Sequence, residues 1–181
     1  MTVWIFGYGS LIWRPGFAFE ERCAAVVSGF ERRLDQGSPD HRGTPARLGR
    51  VATLVRSAGG RAGGVAYRIA AAQATSVLEA LDIREQGGYE RLELTVTLAA
   101  DAAREVRAIT WVASPDNPFH LGPAPASVMA AQIRAAVGPS GANLDYALAL
   151  DEALSALGFV DPHVAALVEA LRALTGTPLD A

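Results

Sequence analysis

The order of its secondary-structure patterns most constrains what this chain can fold into, because strand-like runs come first and helical runs last. Alternating or β-branched residues predict strands in six segments: Val3–Phe6, Ala24–Arg33, Arg50–Arg56, Gly64–Ile69, Arg91–Leu98 and Val106–Val112. Turn signals separate these segments, and one amphipathic helix over Ala71–Leu81 interrupts the series. Strands grouped before helices indicate an α+β protein whose strands form one curved sheet or barrel.

The remainder of the chain is predicted to be helical. One helix is expected over Ser127–Val137, and a second, capped by Asn143, is expected to run to about Leu157. A third begins with Asp161 as N-cap and Pro162 at the first helical position, where a missing N–H is harmless.

Composition excludes several kinds of chemistry. All 16 basic residues are arginine, so neither a lysine Schiff base nor a P-loop can form. One cysteine and three widely spaced histidines argue against a metal site, and no cofactor is expected. The net charge of −3 shows no basic footprint for nucleic acid. With no apolar run of about 20 residues and no visible signal peptide, a cytoplasmic protein forming one domain over residues 1–181 is predicted.

The segment FGYGSLIW, residues 6–13, places two glycines, a tyrosine and a serine between apolar flanks. Gly7 and Gly9 invite comparison with the dinucleotide-binding fingerprint, but Ile12 stands where the third glycine belongs and no helical pattern follows. A glycine bulge that redirects a strand is one interpretation. The other is a loop that presents backbone N–H groups to a small anionic group, because glycine lets a ligand approach the backbone closely.

Two further segments combine glycines with polar residues. Glu85 follows the first predicted helix, beside a Gly-Gly-Tyr turn, where the helix dipole disfavours a carboxylate by about 0.3–1 kcal/mol. A surface ion pair with Arg84 or Arg91 is the structural interpretation, but a broken local rule beside paired glycines also favours function. Residues 32–45 form a polar loop that suits either solvent exposure or a ligand-binding wall.

Seven segments together resemble the ChaC family of glutathione-specific γ-glutamylcyclotransferases. They are FGYGSLIW (6–13), QGSPDHRG (36–43), GRVATL (49–54), GVAYR (64–68), LDIREQGGY (81–89), DNPFHLGPAP (116–125) and GPSGANLDYALAL (138–150). The resemblance implies a small, distorted mixed β-barrel with attached helices and a helical C-terminal part. It also implies a cofactor-independent lyase that converts reduced glutathione, a small-molecule substrate, into 5-oxoproline and cysteinylglycine.

The resemblance also implies roles for individual residues. Glu85 matches the family's catalytic glutamate and is predicted to act as general base and then as general acid, with His41 as the fallback base. The predicted substrate-binding residues are Ile5, Phe6, Gly7, Tyr8, Gly9, Ser10, Leu11, Gln36, Ser38, Arg42 and Tyr146. For Tyr146 a role in the core of an amphipathic helix is an equal alternative. Gln36, Ser38, His41 and Arg42 either contact the Cys-Gly portion or brace their loop, and Arg42 is chemically suited to pair with a carboxylate.

The chain departs from the family pattern at Leu34 and Asp35, where an aromatic pair is usual, and at Pro39, where threonine is usual. These changes are expected to bear on peptide specificity more than on the reaction. Two alternatives therefore stay open: a cyclotransferase for other γ-glutamyl amino acids or amines, and a non-catalytic sensor of γ-glutamyl metabolites.

Overall fold

A closed five-stranded barrel, in the order β1-β3-β2-β4-β5, forms the centre of the molecule. The computed structural model describes residues 2–175, apart from the side chains of residues 102, 103 and 175. The strands are β1 (Val3–Gly7), β2 (Glu21–Ser38), β3 (Gly49–Ile69), β4 (Tyr89–Leu98), β5 (Asp101–Ala113), β6 (Val137–Gly138) and β7 (Gly141–Ala142). The helices are α1 (Ala74–Arg84), α2 (Ala126–Ala135), α3 (Asn143–Ala156) and α4 (Pro162–Thr175), with a 3₁₀ turn over Ser10–Ile12.

The barrel is mixed because β1 runs parallel to β5 and antiparallel to β3. Ile5 of β1 is opposite both Tyr67 and Ile109, so this short strand closes the barrel. All other pairings of the barrel strands are antiparallel. The predicted α+β class and the mixed barrel are confirmed.

The sequence prediction divided β3 wrongly. The predicted turn between Arg50–Arg56 and Gly64–Ile69 falls on SAGGRAGG, residues 57–64, whereas β3 continues through this segment and pairs with β2 on both sides. The pairing passes from Ser28–Arg61 to Phe30–Arg56 across Gly29 and Gly59, both with φ near +80° (80° and 78°). Glycine adopts this left-handed conformation without a Cβ clash, so the two strands bulge and bend without ending.

The helices cover the barrel and share its core. Buried side chains of β1 (Ile5), α2 (Ile133), α3 (Leu150) and α4 (Leu167) belong to the same hydrophobic cluster. Asp161 caps α4 as predicted, accepting the N–H groups of His163 and Val164 on Oδ1. Among residues 2–175, no helix is long and apolar enough to cross a bilayer.

The prediction of Asn143 as a helix cap is wrong. Ala142 occupies the N-cap position of α3, after a β6–β7 hairpin that the sequence analysis missed. The Asn143 amide instead accepts the backbone N–H of Arg50 at 2.6 Å and donates to the Arg50 carbonyl at 2.8 Å. Because this buried amide satisfies both backbone groups of Arg50, it fixes α3 against β3 instead of stabilising the helix end.

Candidate active site

A cavity of about 570 Å³ opens between the end of β1, the loop after β2, the end of α1 and the first turn of α3. It is lined by Tyr8, Gly9, Ser10, Leu11, Arg14, Gly16, Ser38, His41, Arg42, Val51, Ala52, Arg84, Glu85, Tyr89, Thr110, Trp111, Ser140 and Tyr146. These residues come from distant parts of the sequence. The closure of the barrel and the docking of α3 bring them together.

The loop after β1 forms one wall of the cavity, and its two glycines have different roles. A Cβ on Gly7 would lie 2.6 Å from the Cβ of Leu11, so only glycine lets the 3₁₀ turn fold back onto β1. A Cβ on Gly9 would lie 3.2 Å from the hydroxyl of Tyr146, within the cavity wall. The first N–H groups of a 3₁₀ turn have no partner inside the turn, and Gly9 provides no side-chain cap.

Arg32 fixes the peptide between Tyr8 and Gly9. This arginine is buried, and its Nε donates to the Tyr8 carbonyl at 2.8 Å. In a trans peptide the carbonyl and the following N–H point in opposite directions. The bond to Arg32 therefore turns the Gly9 N–H away from Arg32. The Tyr8 side chain is fixed as well, because its hydroxyl donates to the Trp111 carbonyl at 2.6 Å.

Glu85 lies directly after α1, where its backbone N–H closes the last turn by donating to the Leu81 carbonyl. Its side chain is 19% exposed, and Oε1 lies 3.4 Å from Nε of Arg84. Burial raises the pKa of Glu85, although the positive charge of Arg84 acts in the opposite direction. Among the described residues, Glu85 is the only acidic side chain that lines the cavity.

Arg84 connects the end of α1 to the glycine loop. Its Nη2 donates to Ser10 Oγ at 2.8 Å, and its Nη1 donates to the carbonyls of Arg14 and Pro15. The same guanidinium forms the ion pair with Glu85. Because one rigid planar group contacts both segments, the carboxylate of Glu85 is held at a fixed position relative to the loop.

Three tyrosines form a neutral wall next to Glu85. Burial raises the pKa of Tyr8, Tyr89 and Tyr146, the last to about 12, so all three stay protonated near neutral pH. Tyr146 accepts the N–H of Ala52 at 3.1 Å, and Tyr89 donates to the carbonyl of the same residue at 2.7 Å. The Tyr146 hydroxyl keeps its own proton to donate, next to Gly9.

The loop after β2 supplies the opposite rim. Ser38 Oγ accepts the backbone N–H groups of His41 and Arg42 at 3.3 and 3.0 Å, which braces the loop. Arg42 Nη1 donates to the Ala142 carbonyl at 3.1 Å, and its guanidinium lies 5.8 Å from the centre of the Tyr146 ring. The exposed His41 ring lies 3.1 Å from Ser140 Oγ through Nδ1. Within residues 2–175, no cluster of His, Cys, Asp and Glu could hold a metal ion.

The sequence model described as ChaC-like protein matches residues 3–174. The chain belongs to the ChaC family. It is 42% identical over 174 residues to glutathione-specific γ-glutamylcyclotransferase 1 of Homo sapiens, covering 94% of this chain and 78% of that protein. The glutathione-specific γ-glutamylcyclotransferase of Escherichia coli (strain K12) is 36% identical over 172 residues, covering 95% of this chain and 74% of the other.

A solved structure is similar to the whole of this ChaC fold. The crystal structure of a γ-glutamyl cyclotransferase specific to glutathione from yeast matches it with a TM-score of 0.88 at 30% identity. The match covers 95% of this chain and 96% of the yeast chain. The barrel with its attached helices is therefore the ChaC architecture.

Eight of the residues that the sequence analysis assigned to the ChaC site line the cavity: Tyr8, Gly9, Ser10, Leu11, Ser38, Arg42, Glu85 and Tyr146. Four others lie outside its lining. Ile5 and Phe6 are fully buried in β1, and Gly7 packs against Leu11. The amide of Gln36 is buried, donating to the Gly87 carbonyl at 3.0 Å and to Asn117 Oδ1 at 3.1 Å. Gln36 therefore contacts the turn that follows Glu85.

The departures from the ChaC pattern also lie outside the cavity lining. Leu34 and Asp35 are buried in β2, where the Leu34 N–H donates to Nε2 of His163 on α4 at 3.0 Å. Pro39 is half-buried. Since none of the three lines the cavity, an influence on peptide specificity would have to pass through neighbouring residues.

Several lining residues, among them Arg14, Tyr89 and Trp111, have no sequence signal that predicts a role in the site. Tyr89 ends the motif LDIREQGGY, and Trp111 fits the pattern of a strand. An exposed arginine such as Arg14 looks like ordinary surface in a sequence. Only their position in the fold assigns these residues to the site.

Proposed function

We propose that this ChaC protein degrades glutathione by cyclising its γ-glutamyl group. The substrate's α-amine attacks the γ-carbonyl carbon, and a five-membered lactam, 5-oxoproline, forms as the bond to the cysteinyl nitrogen breaks. Cysteinylglycine is the leaving group, and the net reaction consumes no water. The proposal treats the chain as one functional domain acting in the cytoplasm, where glutathione keeps thiols reduced.

Glu85 carries this proposal, because it is the only carboxylate lining the cavity among the described residues and burial raises its pKa. The α-amine of the substrate is an ammonium at neutral pH and must lose a proton before it can attack. A buried carboxylate is a competent base for this step. The protonated Glu85 then returns the proton to the departing nitrogen, so one residue serves both halves of the reaction.

The glycine loop is assigned the γ-glutamyl group. Its predicted contacts extend over residues 5–11, with backbone N–H groups of the loop as the donors. Such donors stabilise negative charge on the γ-carbonyl oxygen as the amine attacks. Since nucleophile and electrophile belong to one molecule, holding the chain in a folded conformation can contribute up to about 10 kcal/mol. The arrangement of Gly9 beside the Tyr146 hydroxyl and the fixed Tyr8 carbonyl supports this assignment.

Product analysis tests the proposal. Purified protein incubated with reduced glutathione is expected to release 5-oxoproline and cysteinylglycine in equal amounts, as separated and quantified by mass spectrometry. Free glutamate in place of 5-oxoproline would mean that water is the nucleophile. If glutathione is not consumed but a γ-glutamyl amino acid or amine is cyclised, the substrate assignment is wrong. Saturable binding of glutathione without any product would favour the sensor.

The pH dependence of the reaction should reveal the buried base. Glu85 must be ionised to accept a proton, and burial raises its pKa, so kcat/KM is expected to fall as pH decreases, with a midpoint above 4.5, the ordinary value for glutamate. The measurement is kcat/KM for glutathione between about pH 4 and pH 8, with protein integrity checked at each pH by circular dichroism. A midpoint at or below the ordinary glutamate value, with the fold intact, would contradict a buried base.

A further inference from the structure

Two arginines line the cavity without a carboxylate partner. Arg14 follows the 3₁₀ turn, and Arg42 comes from the loop after β2. Among the described residues, neither guanidinium lies within ion-pair distance of an acidic side chain. Arg84, in contrast, is already paired with Glu85. Asp145 on α3 attracts Arg42 from beyond ion-pair distance, so among the described residues the positive charge of the two arginines is only partly compensated.

Three contacts fix the position of Arg42 in the cavity wall. Nη1 is fixed by the Ala142 carbonyl, the guanidinium lies against the Tyr146 ring, and the backbone N–H is bound by Ser38. Burial lowers the pKa of Arg42 and the nearby positive charge of Arg14 lowers it further, whereas Tyr146 and Asp145 act in the opposite direction. Two like charges directed at one cavity oppose each other until an anion lies between them.

We propose that Arg14 and Arg42 form a subsite for the glycyl carboxylate of the substrate, which makes the enzyme selective for γ-glutamyl peptides with a free C-terminus. This inference rests on the proposed cyclisation of glutathione. Glutathione carries two carboxylates and one ammonium. Glu85 matches the ammonium, the N–H groups of the glycine loop match the γ-glutamyl end, and two cations remain for the second carboxylate.

Charge balance favours this assignment. In the free protein the pair of Glu85 and Arg84 is neutral, and Arg14 and Arg42 add two positive charges to the cavity lining. A planar guanidinium binds a carboxylate through two parallel N–H donors, which gives direction as well as charge. A γ-glutamylamine has no second carboxylate, so it would leave this pair of cations without a ligand carboxylate, as in the free protein.

The test compares glutathione with its glycyl monoethyl ester, which keeps every atom of the γ-glutamyl group, removes the C-terminal charge and adds an ethyl group in its place. For the unaltered protein, kcat/KM is expected to be about tenfold to hundredfold higher for glutathione than for the ester, the range for loss of a charged hydrogen bond.

In Arg14→Gln and Arg42→Gln the ratio of kcat/KM for glutathione to that for the ester should fall toward one. Arg14→Lys and Arg42→Lys keep the charge and should restore part of the ratio. Arg61→Gln, an exposed arginine outside the cavity, is the matched control and should keep the full ratio.

The outcomes separate this inference from the proposed function. Release of 5-oxoproline from both substrates at equal kcat/KM by the unaltered protein would leave the cyclotransferase assignment standing and overturn the subsite. Arginine variants that lose activity equally on glutathione and ester would also overturn it, since the arginines would then act on the γ-glutamyl end or on the fold. No 5-oxoproline from either substrate would instead contradict the proposed function.

Discussion

Replacing Glu85 with glutamine is expected to lower kcat for the release of 5-oxoproline from glutathione by about 100- to 10,000-fold, the range for loss of a general acid–base group. Glutamine keeps the shape of the side chain and can still occupy the cavity, but it cannot take the proton from the substrate ammonium. KM should change much less than kcat, because the loop and the arginine side chains are unaltered. Single-turnover and steady-state kinetics on purified protein give both parameters.

The fold of Glu85→Gln should be at least as stable as that of the unaltered protein. Burial raises the folded-state pKa of Glu85, so the folded protein binds the proton more tightly than the unfolded chain. Stability then decreases as pH rises through the interval between the two pKa values, and at neutral pH the ionised carboxylate is destabilising. A neutral amide removes this effect. A lower Tm in the variant would therefore contradict the destabilising effect of the ionised carboxylate, and only a Tm near the assay temperature would attribute the kinetic loss to unfolding.

A matched variant on the same helix controls for the change of charge. Glu79 is an exposed residue of α1 outside the cavity lining, and Glu79→Gln should leave both kcat and KM within about twofold of the unaltered protein, as expected for a surface substitution. Turnover by Glu85→Gln at the normal rate would remove Glu85 from the mechanism. His41, which also lines the cavity, would then be the residue to replace next.

The barrel could be predicted from the sequence because its strands carry local patterns. Alternation of apolar and polar residues marks β4 and β5, and Asp161 followed by Pro162 marks the start of α4. The continuity of β3 could not be predicted, since glycines at positive φ look the same in a sequence whether they end a strand or bend it. Only the pairing with β2 distinguishes the two cases.

A site residue could be predicted where one motif contains both the reactive side chain and the turn beside it, as the Glu85 motif does. The partners of that group come from contacts that no local pattern records. Arg84 reaches Ser10 across 74 residues of sequence, and Gln36 meets Asn117 across 81. Gln36 shows the consequence: its residue type and sequence context suggest a ligand contact, whereas its buried amide donates to the Gly87 carbonyl and exchanges two hydrogen bonds with the Asn117 side chain. Its substrate contact stays a prediction.

Replacing Asp161 with asparagine is expected to lower the free energy of unfolding by roughly 3–5 kcal/mol, the range for removing one partner of a buried ion pair. Arg32 has a fully buried side chain and Asp161 one that is 10% exposed, and the two form an ion pair. Burial lowers the pKa of Arg32 and the charge of Asp161 raises it. Without the carboxylate, Arg32 would remain charged in the interior with neutral acceptors in place of a charged one, among them the carbonyls of Tyr8 and Gly63.

Asparagine separates the ion pair from the helix cap, because asparagine and aspartate cap helices about equally well. Asp161→Ala should therefore lose about 1 kcal/mol more than Asp161→Asn, and the exposed Glu152→Gln on α3 should lose almost nothing. Urea denaturation measures the three losses as shifts in the midpoint of unfolding, with the slope m of the unfolding free energy against urea concentration unchanged.

Because Arg32 also fixes the Tyr8 carbonyl in the glycine loop, folded Asp161→Asn should have a lower kcat as well. Stability within about 0.5 kcal/mol of the unaltered protein would contradict the role of the charge, because the amide oxygen would then serve Arg32 as well as the carboxylate does.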